Sequence, residues 1–420
     1  MGSIDKPSGI QDFLDEAEAA CAEMFRGRER IETACFRRVM DAFRRNRVSA
    51  ADFAGSTGYG YNDRGRENLE RVFAAALECQ DALVRPQIAS GTHAIALALF
   101  GLLNPGDTLL AATGKPYDTL DGVIGITSAA GSLASVGVNY NQVELLPDGG
   151  PDLAAIERAI TPETRVVHVQ RSRGYAWRPS LTPEAIGSIA DAAHGVSPDA
   201  VVFVDNCYGE FTREREPTYY GADIMAGSLI KNPGGGLAPT GGYVAGARGL
   251  VERVAARLTC PGIGREVGSY EPGYRLFYQG LFIAPHAVCQ AVQSGILAAR
   301  VFAALGFEVN PRWDEPRSDI VQTARLGSAD MARGLCEAVQ QSSPVDSFAT
   351  PVPDDMPGYA DPVIMAAGTF VGGASLELSA DAPIRPPYDA FIQGGLTRAH
   401  MRLALERWLE NKQLAPPHTL

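Results

Sequence analysis

Two residues, each delivered by an apolar run, carry the chemistry that can be read first. Val201 to Val204 is an unbroken β-branched and aromatic stretch, the composition of a strand buried on both faces, and it ends on Asp205. Ile224 to Ile230 is a second such run; it ends on Lys231 and is stopped by Asn232-Pro233-Gly234-Gly235-Gly236. A lone lysine after a strand is most often a surface residue. An aspartate at the mouth of a neighbouring strand and a glycine-rich turn behind the lysine change the weighing. A lysine amine can form a Schiff base with an aldehyde, and a carboxylate can keep a pyridine nitrogen protonated. Together they suit pyridoxal phosphate (PLP).

Other residue types fit the same ligand. Val84–Ala89 leads into Ser90-Gly91-Thr92 and an Ala/Leu-rich helix that Asn104-Pro105-Gly106 ends. Ser90 or Thr92 would serve as the helix N-cap, and the exposed amides and positive helix end there would also hold a phosphate. Tyr117, in GKPYDTL after the strand TLLAAT, can project its ring over a neighbouring ligand. The loop STGYGYNDRGR gathers Tyr59, Tyr61, Arg64 and Arg66 between glycines. Such residues are often surface decoration, and gain meaning where the loop reaches a phosphate. Arg171 and Arg173 follow the strand RVVHVQ, at the edge of the sheet where ligands bind.

The elements that must position these residues alternate. Helix DLAAIERAI, strand RVVHVQ, a helix capped at Thr182 ahead of Pro183, then VVFVDN repeat the pattern of a mostly parallel, doubly wound α/β sheet. Ahead of it, residues 10–47 read as one or two helices whose arginine run is a solvated face. TCPGIGREVGSYEPGYRLFYQGL, rich in Gly and Tyr, belongs at the ligand cleft, and a long helix starts near Val288. The reading gives three parts: residues 1–69 as a helical arm and loop, 70–287 as the large domain, and 288–420 as a smaller α+β domain.

Composition narrows the function classes. With 420 residues, 45% hydrophobic and 20% charged, the chain is long enough for two cores. A formal net charge of −12 argues against nucleic acid or an anionic membrane as partner. No apolar run is seen to approach a membrane span of roughly 20 residues, the start MGSIDKPSG is no secretory signal, and Lys6 breaks the myristoylation pattern. Seven scattered cysteines without C-x-x-C point to reduced thiols in the cytoplasm. Six histidines without metal spacing predict no metal, and no GxxxxGK[ST] loop is present.

Taken together, GYGYND-GR, SGTHAIALALFG, GKPYDTL, QRSRGY-RPSL, VDNCYGEF, AGSLIKNPGGG and CPGIG resemble the PLP enzymes of fold type I. Within them the set is similar to the cystathionine and methionine γ-lyase superfamily, in the branch known as methionine γ-lyase-like or aluminium-resistance proteins. The resemblance covers roughly residues 55–400. It implies that Lys231 holds the cofactor and shuttles the α-proton, Asp205 pairs with the ring nitrogen, and Tyr117 stacks on the ring and acts as acid. It implies that Ser90, Gly91, Thr92 and Ser228 cup the phosphate. Tyr61 and Arg66 (or Arg64) would reach the phosphate of a neighbouring subunit, with Tyr59 on the substrate side, in a homodimer or tetramer.

Two positions depart from that pattern. Ile230 precedes the lysine where a phosphate-binding threonine is frequent. Glu377, in LELS, stands where the γ-lyases place an arginine for the substrate carboxylate. Arg385 and Arg173 are the substitutes predicted here. The implied reaction is α-proton removal from a small amino acid followed by γ- or β-elimination, with a sulfur leaving group, giving a keto acid and ammonia. Lys231 serves as the base, since no histidine lies near the motif. The alternatives are loss of a non-sulfur group such as halide, γ-replacement in specialised metabolism, or a PLP-binding homologue without catalysis.

Overall fold

The apolar run Val201–Asp205 is the central strand of the larger sheet, and all five of its residues are buried. The reason is alternation: Val201 and Phe203 enter the core on one face, Val202 and Val204 the core on the other. The computed structural model describes residues 8–355 and 361–414. Its larger sheet comprises β1 (Asp81–Arg85), β2 (Thr108–Ala111), β3 (Asn139–Gln142), β4 (Thr164–Gln170), β5 (Val201–Asp205), β6 (Ile224–Ser228) and β7 (Gly242–Gly246). They lie in the order β1-β7-β6-β5-β4-β2-β3. Every pairing is parallel except those of β7, which runs antiparallel to both β6 and β1. Strands 2 to 6 therefore present their carboxyl ends along one edge, where the candidate residues gather.

Local signals fix the crossovers. Thr182 accepts the Ala185 N–H at 3.1 Å with Pro183 in the first turn, and Asp152 accepts the Ala155 N–H at 2.9 Å, as N-caps do. The helix Gly91–Leu102 packs beside Arg248–Leu258 so closely that a Cβ on Gly101 would stand 2.9 Å from the Val254 Cα.

A second, wholly antiparallel sheet follows: β8 (Glu308–Asn310), β9 (Val321–Arg325), β10 (Val363–Ala366), β11 (Ser379–Pro383) and β12 (Asp389–Gln393), ordered β10-β11-β12-β9-β8. Helix Ala329–Ser342 packs on β10 and β11, and Arg398–Asn411 packs against that helix. Mixed α/β architecture with a mostly parallel central sheet is the predicted fold class.

Three expectations change. The long helix spans Arg275–Ala304, starting thirteen residues before Val288, with Pro285 inside it. It is also long and apolar enough, by length and composition, to cross a membrane, which the sequence reading missed because Gln290, Gln293 and Ser294 interrupt the run. In this fold 78% of its most apolar window is buried in protein. Thirdly, the arginine run of the N-terminal helices is not simply a solvated face. Helix Ala22–Arg45 buries Phe25, Cys35, Val39 and Ala42 on the chain's own core. Arg28 turns inward to the Thr212 carbonyl, and Arg38 Nε donates to the Ala76 carbonyl at 2.7 Å.

Candidate active site

A cavity of about 400 Å³ opens at the carboxyl ends of β4, β5 and β6, beside the amino end of helix Gly91–Leu102. Asp205, Lys231, Tyr117, Ser90, Thr92 and Ser228 all line it, with Gly91. Asp205 leaves β5 almost fully buried, and its Oδ1 accepts the Cys207 N–H at 3.0 Å, which fixes the carboxylate's direction. Behind it on β4 lies His168, whose ring sits 5.6 Å from that of Phe203. Burial pushes this imidazole down to about 4, against the pull of Asp205, so it is neutral near pH 7. Neither ring nitrogen has a hydrogen-bond partner among the described residues. The sequence reading placed no histidine near the motif; its only sequence trace is one polar letter in RVVHVQ.

Lys231 is held from below. Its Nζ stands 3.9 Å from the centre of the Tyr208 ring, and Tyr208 adopts a left-handed φ of 68° to put the ring there. Burial opposes a charge on this amine. The neighbouring Cys207 and Tyr208, with the Asp205 and Glu210 carboxylates, outweigh it and hold the lysine above its usual range. Glu210 is fully buried; burial pushes its carboxyl up to about 8, although the Tyr243 hydroxyl donates to it at 2.7 Å. The glycine-rich turn after Lys231 serves packing. A Cβ on Gly280 would come 2.3 Å from the Gly234 carbonyl, so the long helix presses directly on the turn.

The anion cup is equally tight. Ser90 caps its helix by accepting the His93 N–H at 3.1 Å, and Thr92 and Thr119 share a hydroxyl contact of 2.9 Å. A Cβ on Gly91 would meet Cys207 Sγ at 3.1 Å and Ser228 Cβ at 3.3 Å, which is why this position takes no side chain. Hydroxyls, a positive helix end, a buried carboxylate and a lysine amine in one cavity fit the phosphate, ring nitrogen and aldehyde carbon of PLP. Ile230, as its type dictates, contributes only an apolar wall.

Several predicted residues lie elsewhere. Arg66 is 1% exposed and is spent on the carbonyls of Gly60, Gly268 and Glu266, at 2.8, 3.2 and 3.2 Å. It ties its own loop together. Tyr59 and Tyr61 are 73% and 59% exposed, and Arg64 pairs with Asp52 at 2.7 Å. Arg173 is buried against Asp319 at 3.3 Å, donates to the Asn310 carbonyl at 2.7 Å and is not part of the cavity lining. Arg385 faces solvent and pairs with Asp361 at 2.8 Å, outside the cavity lining. Glu377 explains its own departure: its oxygens accept the Phe370 and Val371 N–H groups, each at 2.9 Å. That folds the loop which brings Gly372, Gly373 and Ala374 to the cavity wall. Sequence reasoning did not single out Tyr208, His168, Glu210 or Gln170.

Comparison with known proteins adds to this geometry. The methionine gamma-lyase family profile matches residues 10–413. An uncharacterised protein of Bacillus subtilis is 49% identical over 392 residues, 93% of each chain. A Clostridium novyi protein named as a carbon-sulfur lyase involved in aluminium resistance superposes with a TM-score of 0.93, at 46% identity over 96% of each chain. A Bacillus cereus protein superposes at 0.94 with 46% identity, covering 96% of this chain and 99% of its own. The chain belongs to the methionine γ-lyase family of pyridoxal phosphate enzymes.

Proposed function

We propose that this protein is a PLP-dependent carbon-sulfur lyase that acts on an amino acid by β- or γ-elimination and releases a keto acid and ammonia. The observation that carries it is the meeting of Lys231 and Asp205 in one cavity with an anion cup at a helix end. The cofactor, when bound, supplies the sink for the electrons left at Cα. Lys231 holds it and moves the α-proton, its amine fixed over the Tyr208 ring. Asp205, oriented by the Cys207 N–H, keeps the ring nitrogen protonated, and the neutral His168 leaves that charge undivided. Ser90, Gly91, Thr92 and Ser228 hold the phosphate, and Tyr117 covers the ring and protonates the leaving group. Tyr61 and Arg64 complete the cup of a neighbouring subunit in a cytoplasmic homo-oligomer, and Tyr59 flanks its substrate; Arg66 scaffolds the loop that carries them.

A second reading has its own support. No arginine lines the cavity among the described residues, so the substrate carboxylate is not met as in the better-known γ-lyases. That favours an unusual amino acid, loss of a non-sulfur group, or γ-replacement. Incubating the holoenzyme with S-alkylcysteines, S-alkylhomocysteines and β- and γ-halo amino acids decides between them. Keto acid with free thiol supports the first reading; keto acid with halide alone supports the second; no keto acid from any of them overturns lyase activity.

A further inference from the structure

A second chamber of about 410 Å³ adjoins the cofactor cavity, and the two share Gly373 and Ala374 as their common wall. The chamber rests on one face of the small sheet. Ser379 and Asp381 lie two apart on β11, and Gln393 on β12 pairs with Ser379, so all three side chains share a face. Their chain neighbours Ala380, Ala382 and Ile392 enter the apolar core on the opposite face.

Three polar side chains on a buried face require partners. Ser379, Asp381 and Gln393 are 3, 3 and 7% exposed. Ser379 Oγ has no hydrogen-bond partner among the described residues. Asp381 accepts one bond, from the Tyr175 hydroxyl at 2.5 Å. Among the described residues no lysine, arginine or histidine lines the chamber or forms an ion pair with Asp381. Burial lifts the carboxyl to about 6, with the Tyr175 bond opposing, so it is still ionised at neutral pH. A buried carboxylate without a counterion is unfavourable unless something else supplies the positive charge. Among the described residues the only other ionisable group in the lining, Asp346, is also acidic.

We propose that this chamber binds the distal ammonium of the substrate, with Asp381 as its counterion and Ser379 and Gln393 accepting its hydrogen bonds. The inference rests on reading the neighbouring cavity as an amino-acid site, and it names the substrate class: an α-amino acid with a primary amine on its side chain. Among the described residues the chamber offers no cation for a distal carboxylate, so a purely acidic side chain is disfavoured.

The probes are L-lysine and L-norleucine, which match in chain and differ in the terminal ammonium, bound to the holoenzyme and followed by calorimetry. Lysine should bind roughly ten-fold tighter or better, the size of one charge-assisted contact. Asp381→Asn should bring the ratio to within about two-fold. Tyr175→Phe, which keeps the charge, should preserve the preference, and Ser379→Ala should reduce it. Equal binding by the parent protein, or a preference that survives both Asp381→Asn and Ser379→Ala, overturns the proposal. A separate arm measures keto acid from S-(2-aminoethyl)-L-cysteine and S-propyl-L-cysteine. Absence of keto acid beside an intact lysine preference removes the lyase reading and leaves the subsite. Turnover of both at one rate, with no lysine preference, removes the subsite alone.

Discussion

In the seven-stranded sheet Asp205 stands at a strand end, whereas in the five-stranded sheet Asp381 stands mid-strand on a buried face. Asp205 at the end of β5 is met by a backbone N–H, Ser90 by another, because loops and helix starts there have amides to spare. Asp381 lies within a ladder whose amides are consumed by pairing, and it finds only the Tyr175 hydroxyl. A parallel sheet can therefore satisfy its reactive groups from its own backbone. An antiparallel face has to satisfy them with side chains or with a ligand.

The strongest test of the first region is Lys231→Ala. Turnover should vanish while the far-ultraviolet spectrum and melting profile stay near those of the parent, and borohydride should no longer fix cofactor to the protein. Cofactor fixed in the parent to any other lysine breaks the assignment. Asp205→Asn should follow, with α-proton exchange falling roughly 100-fold, about 2.7 kcal/mol, and the Cys207 contact retained. Exchange at the parental rate would remove Asp205 from the ring nitrogen.

The join between the two sheets should respond in stability rather than rate. Arg173→Met leaves Asp319 buried without its cation, and urea unfolding should register roughly 3 kcal/mol. A fall in kcat/KM at unchanged stability would return Arg173 to the substrate. Glu210→Gln sharpens the electrostatic picture beneath Lys231. Burial raises this carboxyl to about 8, so the folded form binds a proton that the unfolded form releases above its ordinary value of 4.5. Its contribution is present below that value and is lost as pH rises to about 8. The variant should therefore match the parent's melting near pH 4 and gain on it steadily towards pH 8. The smallest effect belongs to Arg385→Lys. With the side chain 59% exposed, kcat/KM should stay within about two-fold.

What was legible in the sequence follows the same division. VVFVDN, SGT and the lysine with its glycine-rich turn are contiguous, since a strand end and the helix start after it are neighbours in sequence as in space. The arginines were not legible. A guanidinium goes where its partner is, and Arg173 meets Asp319, 146 residues further on. Glu377 looked like a lost substrate contact because its real partners are amides of the loop before it. Asp381 and Ser379 sit in LELSADAP as ordinary strand letters, and only the register with β12 puts them and Gln393 on one face. The start of the long helix was hidden by Gly280 and Pro285, which suggest a loop although both are buried within it.

The edge strand β1 has a further consequence, for the order in which the protein assembles. Asp81 pairs with Gly246, so roughly 160 residues must be made and looped before this edge can close. Closing so long a loop adds little to the equilibrium balance, since entropy grows only with the logarithm of length, but contacts this distant in sequence slow folding. During synthesis, Ser90 to Thr92 emerge more than a hundred residues ahead of Ser228, the opposite wall of their cup. The nascent chain therefore carries a capped helix early and a binding site late. A ribosome-bound chain stopped just after Lys231 would contain both the lysine and the aspartate, yet lack β7 between β6 and β1, and should retain no cofactor.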